Sequence, residues 1–307
     1  MSGPANRLAL RLPATSANLG PGFDAAAVAL DRYLEIEAAP AKEFSIVCAG
    51  RDAMRCSRVD NNLILETYER ILAGEGKRAQ PLAIEMRNGI PLGMGLGSSA
   101  AGRLAAIALA NHFGELGWSG ERVLEEACAL EGHPDNAAAC WLGGFVMAAG
   151  ERRPIHVARV EPPVEWRPLV VLPREPLATS KARNVLPASY PREDVVANLQ
   201  AAGLLGLAFA LGRGDLLSAA MQDRIHQPYR AAICPLLDKL LPLAGQEGIL
   251  GAALSGAGPA VLVIAEGEAA VAPASAAIRR VVPEQMAVEI LECRFENEGA
   301  EAAIRGV

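Results

Sequence analysis

Short runs of alternating apolar and polar residues predict strands in the first half of the chain, and longer amphipathic runs predict helices. Leu8 to Leu12 alternates as a half-buried strand does, and the stretch AAVALDRYLEIEA (26–38) continues with the same period of two. Ser119 precedes an amphipathic run as a helix N-cap would. The remaining predicted elements of this half are helices over 61–72, 99–113 and 119–130, and strands over 81–88 and 143–150.

A stretch rich in proline and arginine (ERRPIHVARVEPPVEWRPLV, 151–170) interrupts this pattern, and we place a domain boundary near residue 165. Beyond it the pattern predicts strands over 168–172 and 286–293 and on both sides of the turn 255–259. The predicted helices are 191–211, 233–243 and 266–281, the last interrupted by Pro273. Strands and helices mix in both halves. We therefore expect an α+β protein of two domains, 1–165 and 166–307, with the active site between them.

Composition narrows the function classes. The 307 residues are 51% hydrophobic and carry a net charge of −6, and no basic patch interleaved with aromatic residues appears, which argues against a nucleic-acid partner. The uncharged apolar run 201–212 is too short and glycine-rich for a bilayer span, so we expect no membrane partner. The first residues are polar and charged, unlike a secretory signal, so we expect a cytoplasmic protein. Six scattered cysteines and four dispersed histidines predict reduced thiols and no metal cluster.

The segment PLGMGLGSSAA (91–101) carries the clearest chemistry. Gly93, Gly95 and Gly97 leave a loop with few side chains, and an Ala-rich helical run follows Ser98 and Ser99. Such a loop presents unpaired N–H groups and the positive end of the helix dipole to an anion, usually a phosphate. It lacks the lysine of the Walker loop and the glycine spacing of the dinucleotide fingerprint. The alternative is an ordinary tight turn between a strand and a helix.

Three further segments stand in order around this loop: PATSANLGPGFDAAAVAL (13–30), LEGHPDNAAA (130–139) and LSGAGPAVLVI (254–264). The set resembles the GHMP small-molecule kinases, from about Leu8 to Glu292, and PATSANLGPGFD and HPDN are most similar to the homoserine kinase branch of that family. The resemblance implies an S5-like N-terminal domain that binds ATP and a ferredoxin-like C-terminal domain.

The same resemblance implies the reaction and its cofactors. ATP with Mg²⁺ would phosphorylate the side-chain hydroxyl of L-homoserine, a step toward threonine, by in-line phosphoryl transfer. The residues expected to bind ATP are Pro91, Leu92, Gly93, Met94, Gly95, Leu96, Gly97, Ser98, Ser99, Ala100 and Ala101.

For the amino-acid substrate, the resemblance points to Arg183 and Arg230 as a carboxylate clamp and to Asp24 as partner of the ammonium or hydroxyl group. The alternative for each arginine is a surface ion pair, and Thr179 could bind the reacting hydroxyl or serve as a strand-end cap. The other expected substrate residues are Asn18, His133, Asn136 and Gly258.

The metal needs one or two protein oxygens. Ser98 or Ser99 can supply a hydroxyl, and Glu131 is the first choice for the carboxylate, with Glu125 as competitor; the spacing does not decide between them. No strong general base is expected, although Asp135 and Asn136 stand near the reacting groups. Two other functions stay open: a different GHMP kinase of mevalonate or sugar type, and a non-catalytic nucleotide sensor. A homodimer is plausible on family grounds only.

Overall fold

The computed structural model describes residues 7–150, 153–177, 179–303 and 305–306. Its strands are β1 (Leu8–Asn18), β2 (Gly22–Pro40), β3 (Ser45–Gly50), β4 (Leu82–Asn88), β5 (Phe145–Ala149), β6 (His156–Val160), β7 (Trp166–Leu172), β8 (Ile249–Leu254), β9 (Val261–Glu266), β10 (Glu289–Glu292) and β11 (Arg305–Gly306).

The α-helices are α1 (Ala53–Cys56), α2 (Leu63–Gly74), α3 (Ser98–Phe113), α4 (Gly120–Glu131), α5 (Asp135–Leu142), α6 (Thr179–Asn184), α7 (Arg192–Leu211), α8 (Leu217–Ala220), α9 (Gln227–Arg230), α10 (Leu237–Leu240) and α11 (Glu268–Val281). Single turns of 3₁₀ helix lie at Gly214–Leu216, Ala231–Ile233, Leu241–Leu243 and Glu284–Met286.

The first sheet has the strand order β11-β1-β2-β4-β3, with β5 paired to β2 and β6 paired to β5. Helices α3 and α5 pack on β1 and β2, and α2 and α4 pack against α3. Helix α3 is buried at eleven of its positions, mostly alanines, because small side chains let it lie close to the sheet. This packing holds the N-terminus of α3 beside the end of β1, where the glycine-rich loop meets the N-terminal motif.

The second sheet has the order β10-β7-β9-β8, with α11 packed on β7 and β9. The chain passes from the first sheet to the second between Val160 and Trp166. After β10 it returns, since Phe295 bridges to Leu30 and β11 pairs with β1. The fold is thus α+β with two sheets, and the division at residue 165 stays a prediction.

Two sequence predictions differ from the structure. Helix α11 is continuous across Pro273 rather than interrupted. Both Pro273 and Ala269, whose carbonyl loses its helical partner there, are exposed, so water can bind that carbonyl. The helix predicted over 233–243 is divided into α10 and two single turns of 3₁₀ helix. Its α-helical part has only four residues because Pro235 and Pro242 lack the N–H that a continuous helix uses.

Helix α7 is long and apolar enough to cross a membrane by length and composition alone. Its most apolar window has a mean hydropathy of 1.5 and is 22% buried within the protein. The helix begins with Arg192, Glu193 and Asp194, and it packs against α8.

Candidate active site

One cavity lies where four predicted motifs meet: the turn after β1, the glycine-rich loop before α3, the start of α5, and the turn between β8 and β9. Its lining residues are Asn18, Phe23, Asp24, Gly93, Gly95, Leu96, Gly97, Ser98, Ser99, Glu131, His133, Asp135, Asn136, Leu177, Arg183, Arg230, Gly256 and Ala257. Pro91, Leu92, Met94, Ala100 and Ala101 are not among these described lining residues, and both alanines are buried in α3.

The glycine-rich loop requires glycine for two separate reasons. Gly95 and Gly97 have φ values of +82° and +68°, which L-residues adopt only with strain. Neighbouring atoms also leave no room for a side chain: a Cβ on Gly95 would stand 2.1 Å from the Ser255 carbonyl oxygen, and one on Gly97 would stand 1.9 Å from Thr15 Oγ1. The Ser255 hydroxyl donates to the Gly95 carbonyl at 2.8 Å. The loop is therefore held against both other glycine motifs, with its following helix N-terminus at the cavity.

Asn18, the last residue of β1, shapes the turn that leads to Asp24 near the start of β2. Asn18 and Asp24 both have positive φ values, +71° and +55°. The Asn18 amide donates to the Gly256 carbonyl at 2.8 Å, and its oxygen accepts from the backbone N–H of Asp24 at 3.0 Å. Both ends of this buried amide are thus bonded to the protein. Asn18 lines the cavity, and its amide joins two segments of the site. Its contact with substrate stays a prediction.

Asp24 and Arg183 form a bidentate ion pair inside the cavity. Arg183 Nη2 lies 2.6 Å from Asp24 Oδ1, and Nη1 lies 3.0 Å from Oδ2. The hydrogen bond to Asp24 raises the pKa of Arg183 against the opposing effect of burial. About a third of each side chain is exposed. The pair is the planar fork that arginine makes with a carboxylate, and the cavity gives solvent access to it.

Arg230 is the second cation of the site and is almost fully buried, with 1% exposure. Its Nε donates to the Ala182 carbonyl at 3.0 Å, and Nη1 donates to the Gly256 carbonyl at 3.3 Å. Burial lowers the pKa of Arg230, and the charge of Arg183 acts in the same direction. Phe23 lies beside both guanidinium groups, 5.3 Å from Arg230 and 5.6 Å from Arg183. Two guanidinium groups thus lie close together beside Asp24, and at this point of the cavity they can bind an anionic group.

Helix α5, which the sequence analysis did not predict, places His133, Asp135 and Asn136. Asp135 Oδ1 lies 2.6 Å from His133 Nδ1 and accepts from the backbone N–H of Asn136 at 2.7 Å. Burial opposes a charge on His133, but the hydrogen bond and charge of Asp135 outweigh it and raise the pKa of the imidazole. Thr15 Oγ1 donates to Asn136 Oδ1 at 2.7 Å. One oxygen of the buried Asp135 carboxylate, Oδ1, is thus engaged by neighbouring groups.

Glu131 and Glu125 lie in different surroundings although both belong to α4. Glu131 accepts from the Ser99 hydroxyl at 2.7 Å and lies 3.2 Å from Arg103 Nε. Glu125 pairs with Arg153 at 3.3 Å and is not among the described lining residues. A carboxylate beside the serine hydroxyls is an oxygen donor set that suits Mg²⁺. Glu131 is therefore the glutamate that can hold the metal, and the assignment stays a prediction.

Neither Thr179 nor Gly258 is among the described residues that line the cavity. The side chain of Thr179 lies outside the described residues. Gly258 is not among the described lining residues, whereas Gly256 and Ala257 are; Gly258 faces Cys234 and Leu254, and its N–H donates to Ser255. The sequence analysis missed Phe23, although this residue stands directly before Asp24 in the N-terminal motif.

A second, wider cavity adjoins the first and shares Gly93, Ser98, Ser99 and Leu177 with it. Its other walls mix apolar side chains with the polar segment before α2. They include Leu34, Asn61, Asn62, Ile64, Met86, Ile90 and Leu92. A flat ring with polar edges could enter this cavity while attached phosphates reach the N-terminus of α3.

Comparison with known proteins agrees with this architecture. The family described as GHMP kinases N terminal domain matches residues 62–144, and GHMP kinases C terminal matches residues 207–284. A homoserine kinase of Solibacter usitatus is 45% identical over 258 residues, 84% of each chain. A homoserine kinase of Deinococcus radiodurans is 40% identical over 262 residues, 85% of each chain.

The crystal structure of homoserine kinase from Cytophaga hutchinsonii superposes with a TM-score of 0.82 at 25% identity, covering 97% of this chain and 98% of the other. L. major mevalonate kinase shares the fold, with a TM-score of 0.70 at 16% identity over 97% and 100% of the chains. Identity of this extent over most of both chains, with one cavity that unites the four motifs, means that the chain belongs to the homoserine kinase branch of the GHMP kinase family.

Proposed function

We propose that the protein transfers the γ-phosphoryl group of ATP to the side-chain hydroxyl of L-homoserine, giving O-phospho-L-homoserine and ADP. The observation that carries this proposal is one cavity that is lined both by the N-terminus of α3 and by a carboxylate and two arginines. The carboxylate can pair with the ammonium group of an amino acid, and the two arginines can bind its carboxylate. A neutral sugar could form neither ion pair.

ATP would bind across both cavities. Its phosphates would meet the N–H groups of the loop and the positive end of the α3 dipole, where no side chain stands between anion and backbone. The base would enter the second cavity, because that cavity opens onto the same serines.

The amino acid would replace the internal ion pair of Asp24 and Arg183. An amino acid carries an ammonium and a carboxylate on one carbon, so its ammonium can take the place of the Arg183 fork on Asp24. Its carboxylate can then bind Arg183 and Arg230. Exchange of one ion pair for two gives both charged groups of the substrate a partner of opposite charge, which lowers the cost of desolvating the substrate.

Ser98 and Glu131 would hold Mg²⁺, which when bound supplies positive charge for the phosphates. The protein's own contribution is to fix the hydroxyl near the phosphates and to stabilise charge with loop N–H groups and arginines. Asp135 Oδ1 is bonded to His133 and to the backbone N–H of Asn136, so this oxygen is engaged within the protein. We therefore propose catalysis by positioning and charge stabilisation without a strong base. A cytoplasmic enzyme of threonine synthesis is the setting that we propose for this activity.

The test is ADP release with ATP and Mg²⁺ for L-homoserine, mevalonate, galactose and L-serine. Two truncated substrates sharpen it: γ-hydroxybutyrate lacks the ammonium group and aminopropanol lacks the carboxylate. We expect turnover of L-homoserine and a large loss of kcat/KM with either truncated compound. Equal turnover of γ-hydroxybutyrate would refute the role of Asp24. Turnover of mevalonate or galactose in place of homoserine would overturn the assignment, and ATP binding without any turnover would favour a nucleotide sensor.

A further inference from the structure

His226 contacts Arg230, is fully buried, and is not among the described residues that line the substrate cavity. It precedes α9, the short helix that carries Arg230. From this arrangement we infer that His226 is a positioning residue that fixes the orientation of the Arg230 guanidinium toward the substrate carboxylate, an inference that rests on the proposed function.

The partners of His226 determine its protonation. Nδ1 lies 3.1 Å from Arg230 Nη1, and because arginine only donates, Nδ1 must be the unprotonated acceptor. Nε2 lies 2.8 Å from the Gly20 carbonyl, which only accepts, so Nε2 must carry the hydrogen. The ring is therefore a neutral imidazole in the Nε2–H form. Burial lowers the pKa of His226, in agreement with a neutral ring.

This hydrogen bond leaves one end of the guanidinium free for a ligand. Nε and Nη1 of Arg230 are directed to Ala182, Gly256 and His226, whereas Nη2 has no hydrogen-bond partner among the described residues. The guanidinium also lines the cavity. A planar group anchored through Nε and Nη1 can point Nη2 in only one direction, so the acceptor on His226 helps to determine where a carboxylate binds.

The same imidazole connects Arg230 to the segment Gly20–Asp24, which includes the proposed substrate-binding residue Asp24. Its Nε2–H bonds the Gly20 carbonyl, and its ring stacks on Phe23 with centroids 5.2 Å apart. Asp223 holds this segment in place, because its carboxylate accepts from the backbone N–H groups of His226 and Gln227. These contacts fix Arg230 and the Gly20–Asp24 segment relative to each other.

Two amides can separate the two hydrogen bonds of His226. In His226→Asn, the side-chain oxygen can stand where Nδ1 stands and accept from Arg230, while the bond to Gly20 is lost. In His226→Gln, the longer side chain can reach Gly20 with its NH₂ group but leaves Arg230 without its acceptor. We expect His226→Gln to raise the KM for L-homoserine roughly ten- to a hundredfold, the loss of one hydrogen bond to a charged group, with less than about a twofold change in the KM for ATP. His226→Asn should recover most of the affinity for homoserine.

The control is His112→Gln, which removes a histidine at the far end of α3 and should leave both KM values unchanged. Equal KM values for homoserine in the Asn and Gln variants, or parallel increases for homoserine and ATP, would overturn the inference in favour of a packing role. Nitrogen-15 NMR of the wild type gives an independent readout, since the inference requires the Nε2–H form; an Nδ1–H form or a charged ring near pH 7 would refute it. Failure of the proposed function appears differently, as a wild type that does not phosphorylate homoserine while this NMR signature is still present.

Discussion

Gly97 allows the phosphate-binding loop to be tested against a matched site in the same chain. Gly97 and Gly117 share a φ of +68°, so alanine meets the same backbone strain at both positions, about 1–2 kcal/mol. They differ in surroundings. A Cβ at Gly97 would lie 1.9 Å from Thr15 Oγ1 and 3.1 Å from Asn136 Oδ1, whereas a Cβ at Gly117 meets no heavy atom within 4 Å.

The difference in crowding determines the expected magnitudes. In Gly97→Ala, Thr15 must move from its buried hydrogen bond with Asn136, which costs about 1 kcal/mol, and overpacking costs about 1–3 kcal/mol more. We expect Gly117→Ala to reduce the free energy of unfolding by about 1–2 kcal/mol and Gly97→Ala by about 3–6 kcal/mol in total. The N–H groups of the loop should also shift, which raises the KM for ATP only in Gly97→Ala.

Urea denaturation measures the first quantity and steady-state kinetics the second. Equal destabilisation by the two alanines would show that backbone strain alone governs the loop. A KM for ATP that is unchanged in a folded Gly97→Ala protein would refute the assignment of this loop to the phosphates.

The remaining predictions concern the ionisable side chains at and near the site. Glu131→Gln should lower kcat at least about a hundredfold and weaken the response to Mg²⁺. Glu125→Gln removes one of the two carboxylates that pair with Arg153 and should change kcat less than about twofold. The opposite result would assign the metal to Glu125. Asp135→Asn should keep kcat within about tenfold, and a loss of several orders of magnitude with intact binding would identify a base. Because the pKa of His133 is raised above its usual 6.5, its charged form contributes stability below about pH 6.5, and this contribution is lost as the pH rises through the raised pKa. His133→Asn should therefore destabilise the protein more near pH 6 than near pH 9, and an equal effect in urea titrations at both pH values would contradict the ion pair.

Local rules determined much of this protein from sequence. The glycines at 93, 95 and 97 predict a tight loop before a helix, and the structure has this loop, with positive φ values at all three positions. Ser119 predicts the start of α4, where its hydroxyl accepts from the N–H of Arg122 at 3.2 Å. Such signals depend on neighbours within a few residues. Helix α5 was missed because HPDN reads as a turn, and the helix depends on burial of its alanines against β1 and β2.

The tertiary structure decided how distant residues are paired. Asp24 and Arg183 are 159 positions apart and meet only because the turn after β1 and α6 face one cavity. The packing of α4 against α3 brings Glu131 to Ser99 and leaves Glu125 with Arg153, surroundings that the sequence spacing did not reveal; which glutamate binds the metal stays a prediction. Sequence alone identifies residue types suited to a reaction. Which of them line the same cavity depends on long-range packing, and this packing leaves no local pattern in the sequence.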